Sequence, residues 1–456
     1  MSSYKPEPSW RREQIRRIRE DRPLHLKTPA LPGIRILGYF LSLLLVTGLL
    51  FYLVSFFTKD RAPSVQDARE EETVRLPEQL TDHLIRQALE DMPHSGLLAS
   101  DFPLHIMGQP FTVETTLDLG LQARLQRFVL QAETAGRGMP ELLALVVMEP
   151  ETGKIRGLAG TRGGAQGGDP SVPFTVHPAA SIFKIVAAVA AMELQGLTPD
   201  SPLFFNGDMY TLYKRQMSQQ EHRHTNRISF KDAFAQSVNP VFGKLGYHDL
   251  KKSGLREYAT RFGFSGPAPK GTLPVPQNQI HLSDTPYSWA EIASGFNRRT
   301  LISPLHGASI AAAVVSDGRM PPPHIIEKVM DADNRIRYQG YGESVQQAMK
   351  KETADAMRVL MNRTVSSGTS SRIFRGQQRD RILKNLEIGG KTGSISNHSR
   401  DIRYDWFVGY AVHPDGRKIV VSVMVGHGAY IGRRAGEYAK SIFSFWFDPS
   451  RLPAES

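Results

Sequence analysis

The sequence contains no cysteine. Disulfide staples, thiolate metal sites and cysteine nucleophiles are therefore excluded, and any folded part must be held by its core. It also lacks internal repeats, collagen-like periodicity and a basic block interleaved with aromatics. The net charge is +11, but residues 1–35 hold nine Lys/Arg against four acids, leaving +6 on the rest. Charge spread so thinly reads as a solvated surface, and nucleic acid is not expected as a partner. The alternating pair His222 and His224 lies in a polar stretch and reads as solvated, so no metal and no cofactor are expected. At 456 residues the chain is long enough for one large domain or two ordinary ones.

Charge is also missing from one whole segment. Residues 36–57 are 22 consecutive positions without a single charged side chain, rich in Leu, Phe and Val. That length crosses a bilayer core as a helix. A cleavable signal peptide would have a shorter apolar stretch, nearer the start, ending in small residues, so an uncleaved anchor is expected. The basic tail precedes it, and Lys59, Asp60 and Arg61 lead into the acids Asp67, Glu70, Glu71 and Glu72 after it. The positive-inside rule then places residues 1–35 in the cytoplasm and everything after residue 57 outside, a single-pass protein of the bacterial inner membrane.

Residues 58–110 read as an extracytoplasmic linker, polar at first, then a short helix with Leu80, Leu84, Ile85 and Leu89 on one face, then a turn-rich connector. The main domain is expected over residues 111–450. Asp118 is suited to cap a helix bearing Leu121, Leu125, Phe128 and Val129. An apolar strand over residues 142–148, a turn at Gly153 and a second strand over 154–159 form a hairpin. Helical material follows, beginning with residues 181–194. Strand-like segments at 388–396, 404–412 and 418–425 close the sequence. Strands, then mostly helices, then strands describe an α+β domain with helices packed on an antiparallel sheet.

Three short patterns could carry chemistry. In Ser181-Ile-Phe-Lys184 the two polar residues share one helix face, so the amine lies beside the hydroxyl. A serine at a helix start has free backbone N–H groups nearby, and a lysine in an apolar wall can lose its proton and act as base. Ser237-Val-Asn239 projects polar groups from one tight turn. Lys391-Thr392-Gly393 sits on a strand with glycines on both sides, which permits close approach of another backbone. Its lysine and threonine suit a carboxylate. No phosphate-loop frame precedes it. Trp406 and Phe407 read as core, and residues 366–371 as a mobile loop lining the cleft.

In this order the three patterns resemble those of the penicillin-binding protein transpeptidase domain, and the resemblance extends over residues 111–447. It implies that Lys184 takes the proton of Ser181, which attacks the carbonyl between two D-alanines of a peptidoglycan stem peptide. Backbone N–H groups of Ser181 and Ser394 would form the oxyanion hole. Ser237 would pass a proton to the leaving D-alanine, and Asn239 would orient Lys184. Lys391, Thr392, Gly393 and Ser394 would bind the substrate, the first two holding its terminal carboxylate. β-Lactams would acylate the same serine. Ser394 stands where the family often has threonine, and the hydroxyl is kept.

The resemblance leaves open whether an amine or water resolves the acyl-enzyme, that is, transpeptidase or D,D-carboxypeptidase. A free β-lactamase is disfavoured by the expected anchor. A silent scaffold binding envelope partners would be expected to have lost at least one motif residue. The short stretch between anchor and domain has no room for a glycosyltransferase, so a separate glycosyltransferase or a division or elongation protein is the partner this would imply.

Overall fold

The computed structural model describes residues 77–451, apart from 91, 266–270, 274 and 341–344. The tail over 1–35 and the anchor expected over 36–57 lie outside the described residues. Among the described residues no helix is long and apolar enough to cross a membrane. The chain divides into two units, 1–75 and 76–456, and all the described residues belong to the second.

Helix α1 (Asp82–Glu90) buries Ile85 and Leu89, four positions apart on one face. Next comes a hairpin, β1 (Asp101–Ile106) and β2 (Gln109–Thr115), turning at Met107 and Gly108, both with positive φ. Helix α2 (Leu119–Glu133) starts where Asp118 Oδ1 accepts a hydrogen bond from Leu121 N at 2.7 Å, as predicted. Strands β3 (Leu142–Met148) and β4 (Ile155–Arg162) form the predicted second hairpin.

The helical stretch contains α3 (Lys184–Gln195), α4 (Phe230–Ala235), α5 (Asn239–Lys244), α6 (Pro286–Ala293) and α7 (Pro304–Val315). Strands β5 (Ile326–Met330) and β6 (Ile336–Gln339) and helix α8 (Lys351–Ser366) come next. The chain then makes β7 (Glu387–Ser396), β8 (Arg403–Val412), β9 (Lys418–His427) and the last helix α9 (Ala435–Trp446).

The three last strands and the second hairpin form one five-stranded antiparallel sheet, ordered β7-β8-β9-β3-β4. Every residue of β3 is buried because the sheet is covered on both faces. Leu143, Leu145 and Val147 join Leu125, Phe128, Tyr438 and Ile442 of α2 and α9 in one core. The alternate residues Ala144, Val146 and Met148 join the core built on α3 and α7. Alternation thus splits one apolar run between two cores. Gly307 lets α7 approach the sheet, since a Cβ there would stand 2.4 Å from Ser422 Oγ.

A second sheet, ordered β1-β2-β5-β6, takes in residues 101–106 and 109–110 from the end of the stretch read as linker, residues 58–110, of which 58–76 lie outside the described residues. Phe102, Leu104 and Ile106 of β1 alternate with exposed residues and enter the core, and Leu80 N donates to Arg337 O at 2.7 Å. Pro103 and the turn residues around this strand hid its period-two pattern.

Candidate active site

Ser181 lies in a tight 3-10 turn, Ala180–Phe183, that runs into α3 rather than in the α-helix itself. The turn is held from three sides. Ala180 has φ 48, a left-handed backbone that a non-glycine residue adopts only under constraint. Gly295 presses on it so closely that a Cβ would sit 2.0 Å from Ala180 O. Gly393 of β7 backs onto it too, with its would-be Cβ 3.3 Å from Ala179 O and from Ala180 Cβ. Trp406 Nε1 donates to Pro178 O at 3.0 Å, so this buried tryptophan, read only as core, also ties the sheet to the serine turn.

Lys184 is fully buried, one turn along from Ser181. Its Nζ lies 3.0 Å from Ser181 Oγ, 2.8 Å from Asn239 Oδ1 and 2.6 Å from Ser294 O. Burial, and after it the positive field of Lys391, hold this amine well below the ordinary lysine range. A neutral amine has two N–H donors and one lone pair. Asn239 Oδ1 and Ser294 O can only accept, so both donors go to them. The lone pair is left facing the Ser181 hydroxyl, which is the arrangement proton abstraction requires.

Ser237 and Asn239 enter from the turn between α4 and α5. Ser237 has φ 59, again left-handed, and Asn239 is anchored by Nδ2 donating to Tyr210 O at 2.9 Å and N donating to Met209 O at 2.7 Å. Lys391 Nζ donates to Ser237 Oγ at 3.0 Å and to Thr392 O at 2.8 Å. It is fully buried, with Nζ 5.6 Å from the centre of the Phe234 ring, and burial brings its ammonium down to about 7. Three sequence patterns thus converge into one chain of polar groups, running from Ser181 through Lys184 to Asn239, with Lys391 and Ser237 alongside.

Strand β7 is the edge of its sheet, so alternate backbone groups face away from it. Thr392 and Ser394 are accessible where Lys391 and Gly393 are buried. Thr392 Oγ1 lies 2.6 Å from Thr369 Oγ1, and Arg403 Nε donates to Ser394 Oγ at 2.9 Å. The segment expected to be a mobile loop, 366–371, is instead packed down. Thr369 N donates to Ala235 O at 3.1 Å, Ser370 is buried, and a Cβ on Gly368 would stand 2.4 Å from Ala235 O.

Sequence reasoning missed Ser294, Gly295 and Tyr210, because two act through backbone carbonyls that any residue possesses and one through the lack of a side chain. It missed Arg403 because that contact depends on hairpin register. Glycine at 295 was the one available signal. His222 and His224 are exposed, and Arg223 Nε donates to His224 Nε2 at 2.7 Å.

The sequence matches the family described as penicillin binding protein transpeptidase domain over residues 143–445. The peptidoglycan D,D-transpeptidase PbpA of Mycobacterium tuberculosis is 24% identical over 347 residues, covering 69% of this chain and 67% of that protein. Penicillin-binding protein 1A of Neisseria meningitidis is 27% identical over 305 residues, covering 62% of this chain but only 32% of that longer protein. Among solved structures, the imipenem acyl-enzyme complex of penicillin-binding protein A from M. tuberculosis superposes with a TM-score of 0.58 at 21% identity, covering 74% of this chain and 79% of that one. At that identity the likeness establishes the fold.

Proposed function

The chain belongs to the penicillin-binding protein transpeptidase family, and from that premise we propose that it is a D,D-transpeptidase that cross-links peptidoglycan stem peptides through an acyl-enzyme on Ser181. The observation that carries this reading is the fully buried Lys184 Nζ 3.0 Å from Ser181 Oγ, its other two partners, Asn239 Oδ1 and Ser294 O, both being acceptors. Lys184 takes the hydroxyl proton as Oγ bonds to the carbonyl carbon between two D-alanines. The negative oxygen that forms is received by backbone N–H groups at the serine turn and on the exposed edge of β7, near Ser181 and Ser394. Ser237, which accepts a hydrogen bond from the Lys391 ammonium, gives its proton to the leaving D-alanine nitrogen as the C–N bond breaks and is reprotonated by Lys391. An amine of a second stem then attacks the ester carbonyl and gives up a proton to the Ser237–Lys391 pair, and as the ester C–O bond breaks Lys184 returns its proton to Ser181 Oγ. Thr392 and Ser394 offer hydroxyls to the terminal carboxylate. The same serine would be the target of β-lactams, as the acyl-enzyme structure of the relative illustrates for that protein.

The uncharged run over 36–57 and its basic and acidic flanks support a single-pass anchor with the folded unit on the extracytoplasmic side. A separate glycosyltransferase, or a division or elongation protein, would be the complementary partner.

The decisive experiment incubates the protein and its Ser181→Ala variant with a fluorescent penicillin, then supplies a stem pentapeptide with an amine acceptor. Covalent label on the wild type alone, with cross-linked product, is expected. Hydrolysed peptide without cross-link would make it a carboxypeptidase. A folded wild type that takes no label would make it a binding scaffold.

A further inference from the structure

Lys391 was expected to hold the carboxylate of the substrate, yet its ammonium is fully buried and committed to Ser237 Oγ and Thr392 O. The cation that does reach the open side of β7 is Arg403, at the start of β8. It is exposed, and its Nε donates to Ser394 Oγ at 2.9 Å. No carboxylate pairs with it among the described residues. Neighbouring charges are already engaged: Asp401 accepts from Asn397 and Ser399, Arg298 donates to Ser396 O at 2.7 Å, and Asp405 is taken by Arg434.

We propose that Arg403 is the carboxylate-binding residue of this cleft, acting together with the Ser394 hydroxyl that it orients; this rests on the acyl-transfer reading above. The chemistry comes from donor counting. A guanidinium has no acceptor, so the Ser394 hydroxyl cannot donate to Arg403. With one lone pair occupied by Nε–H, that hydroxyl turns its proton toward an acceptor in the cleft. The terminal guanidinium N–H groups stand beside it, in the planar fork that matches a carboxylate. Thr392, two residues back on the same face of the strand, extends the row of donors. The ligand class is therefore the free carboxylate at the end of the acyl donor, or its counterpart on a β-lactam. Lys391 serves the proton-transfer side of the reaction from behind.

The test compares the second-order acylation rates of benzylpenicillin and of its methyl ester for wild type, Arg403→Ala, Arg403→Lys and Ser394→Ala. Removing a charge-assisted contact predicts that Arg403→Ala slows the free acid by about 10- to 100-fold and the ester by no more than about 3-fold. Arg403→Lys should restore part of the loss, and Ser394→Ala should share the acid-selective defect. The loss should appear in the apparent affinity for the acid rather than in the limiting acylation rate. Equal slowing of acid and ester, or no slowing of the acid, would overturn the proposal while leaving the transpeptidase reading intact. A wild type that neither compound acylates would remove both.

Discussion

At the scale of single residues, two lysines are kept out of water and each is given a different set of partners, from which the proposed reaction makes a pH prediction. Lys184 must be neutral to accept the Ser181 proton, so acylation should rise with pH as that amine deprotonates, well below the ordinary lysine range. Lys391 is useful while charged. Burial brings it to about 7, so the rate should fall as pH climbs through that value. The expected profile is a bell with its alkaline limb near neutrality, measured as acylation by a chromogenic cephalosporin from about pH 5 to 9. Lys391→Met should abolish the alkaline limb. Because the charge of Lys391 helps depress Lys184, the same substitution should also move the acidic limb to higher pH.

At the scale of elements, the exposed edge strand β7 depends on β8 behind it, and β8 is fixed by an ion pair between the buried Asp405 and the part-exposed Arg434. Asp405, opposite Ser394 in the ladder, accepts from Arg434 Nε at 2.8 Å, Arg434 Nη2 at 2.9 Å and Ala435 N at 3.0 Å. It thereby also caps the first turn of α9. Burial alone would raise the Asp405 pKa, but these hydrogen bonds and the guanidinium charge outweigh it and hold the carboxyl at about 2, against an ordinary 3.8. A lowered carboxylate pKa stabilises the fold above about pH 4, and this contribution is lost as pH falls toward 2. Arg434→Ala should therefore cost about 2 kcal/mol at pH 7 in urea unfolding. Its penalty should shrink at about pH 3, where the wild type has begun to lose the same contribution.

Elements also mark where the sequence stops being readable. Ser181 and Lys184 were legible because helical spacing alone brings them together, and the hairpin at Gly153 because turn and strand chemistry are local. The pairing of β9 with β3 was not, since nothing in residues 142–148 names a partner from the far end of the chain. Strand β1 was hidden by Pro103. Arg403 could be joined to Ser394 only once the hairpin register set Arg403 opposite Ser396, which puts Ser394 on the diagonal. The carbonyl of Ser294 carries no residue-type signal at all.

At the scale of the whole molecule, the boundary of the folded unit decides what can be produced and studied. A chain starting at Leu76 keeps α1 and β1; one starting at Phe111 loses Ile85, Leu89, Leu97, Phe102, Leu104 and Ile106, all buried. It also strips β2 of its neighbour on one side. Each lost side chain is worth about 1.5–3 kcal/mol of burial, so the shorter chain should be markedly less stable or aggregate. Thermal melting and solubility of the two truncations check this. In the same preparation, the full chain should sediment with membranes and the chain from Leu76 should not.

The sheet order β7-β8-β9-β3-β4 carries one more consequence. Leu145 in β3 lies opposite Val423 in β9, so the first apolar strand of the sheet waits for nearly the last one to be made. Until the ribosome has passed residue 427, Leu142–Met148 is paired with β4 alone, its other edge open and its apolar faces uncovered. Contacts this distant in sequence fold slowly, and strands left open meanwhile tend to pair with the wrong chain. This sheet should therefore close only after β9 has been made, and the nascent form should depend on a holding chaperone far more than the folded form does.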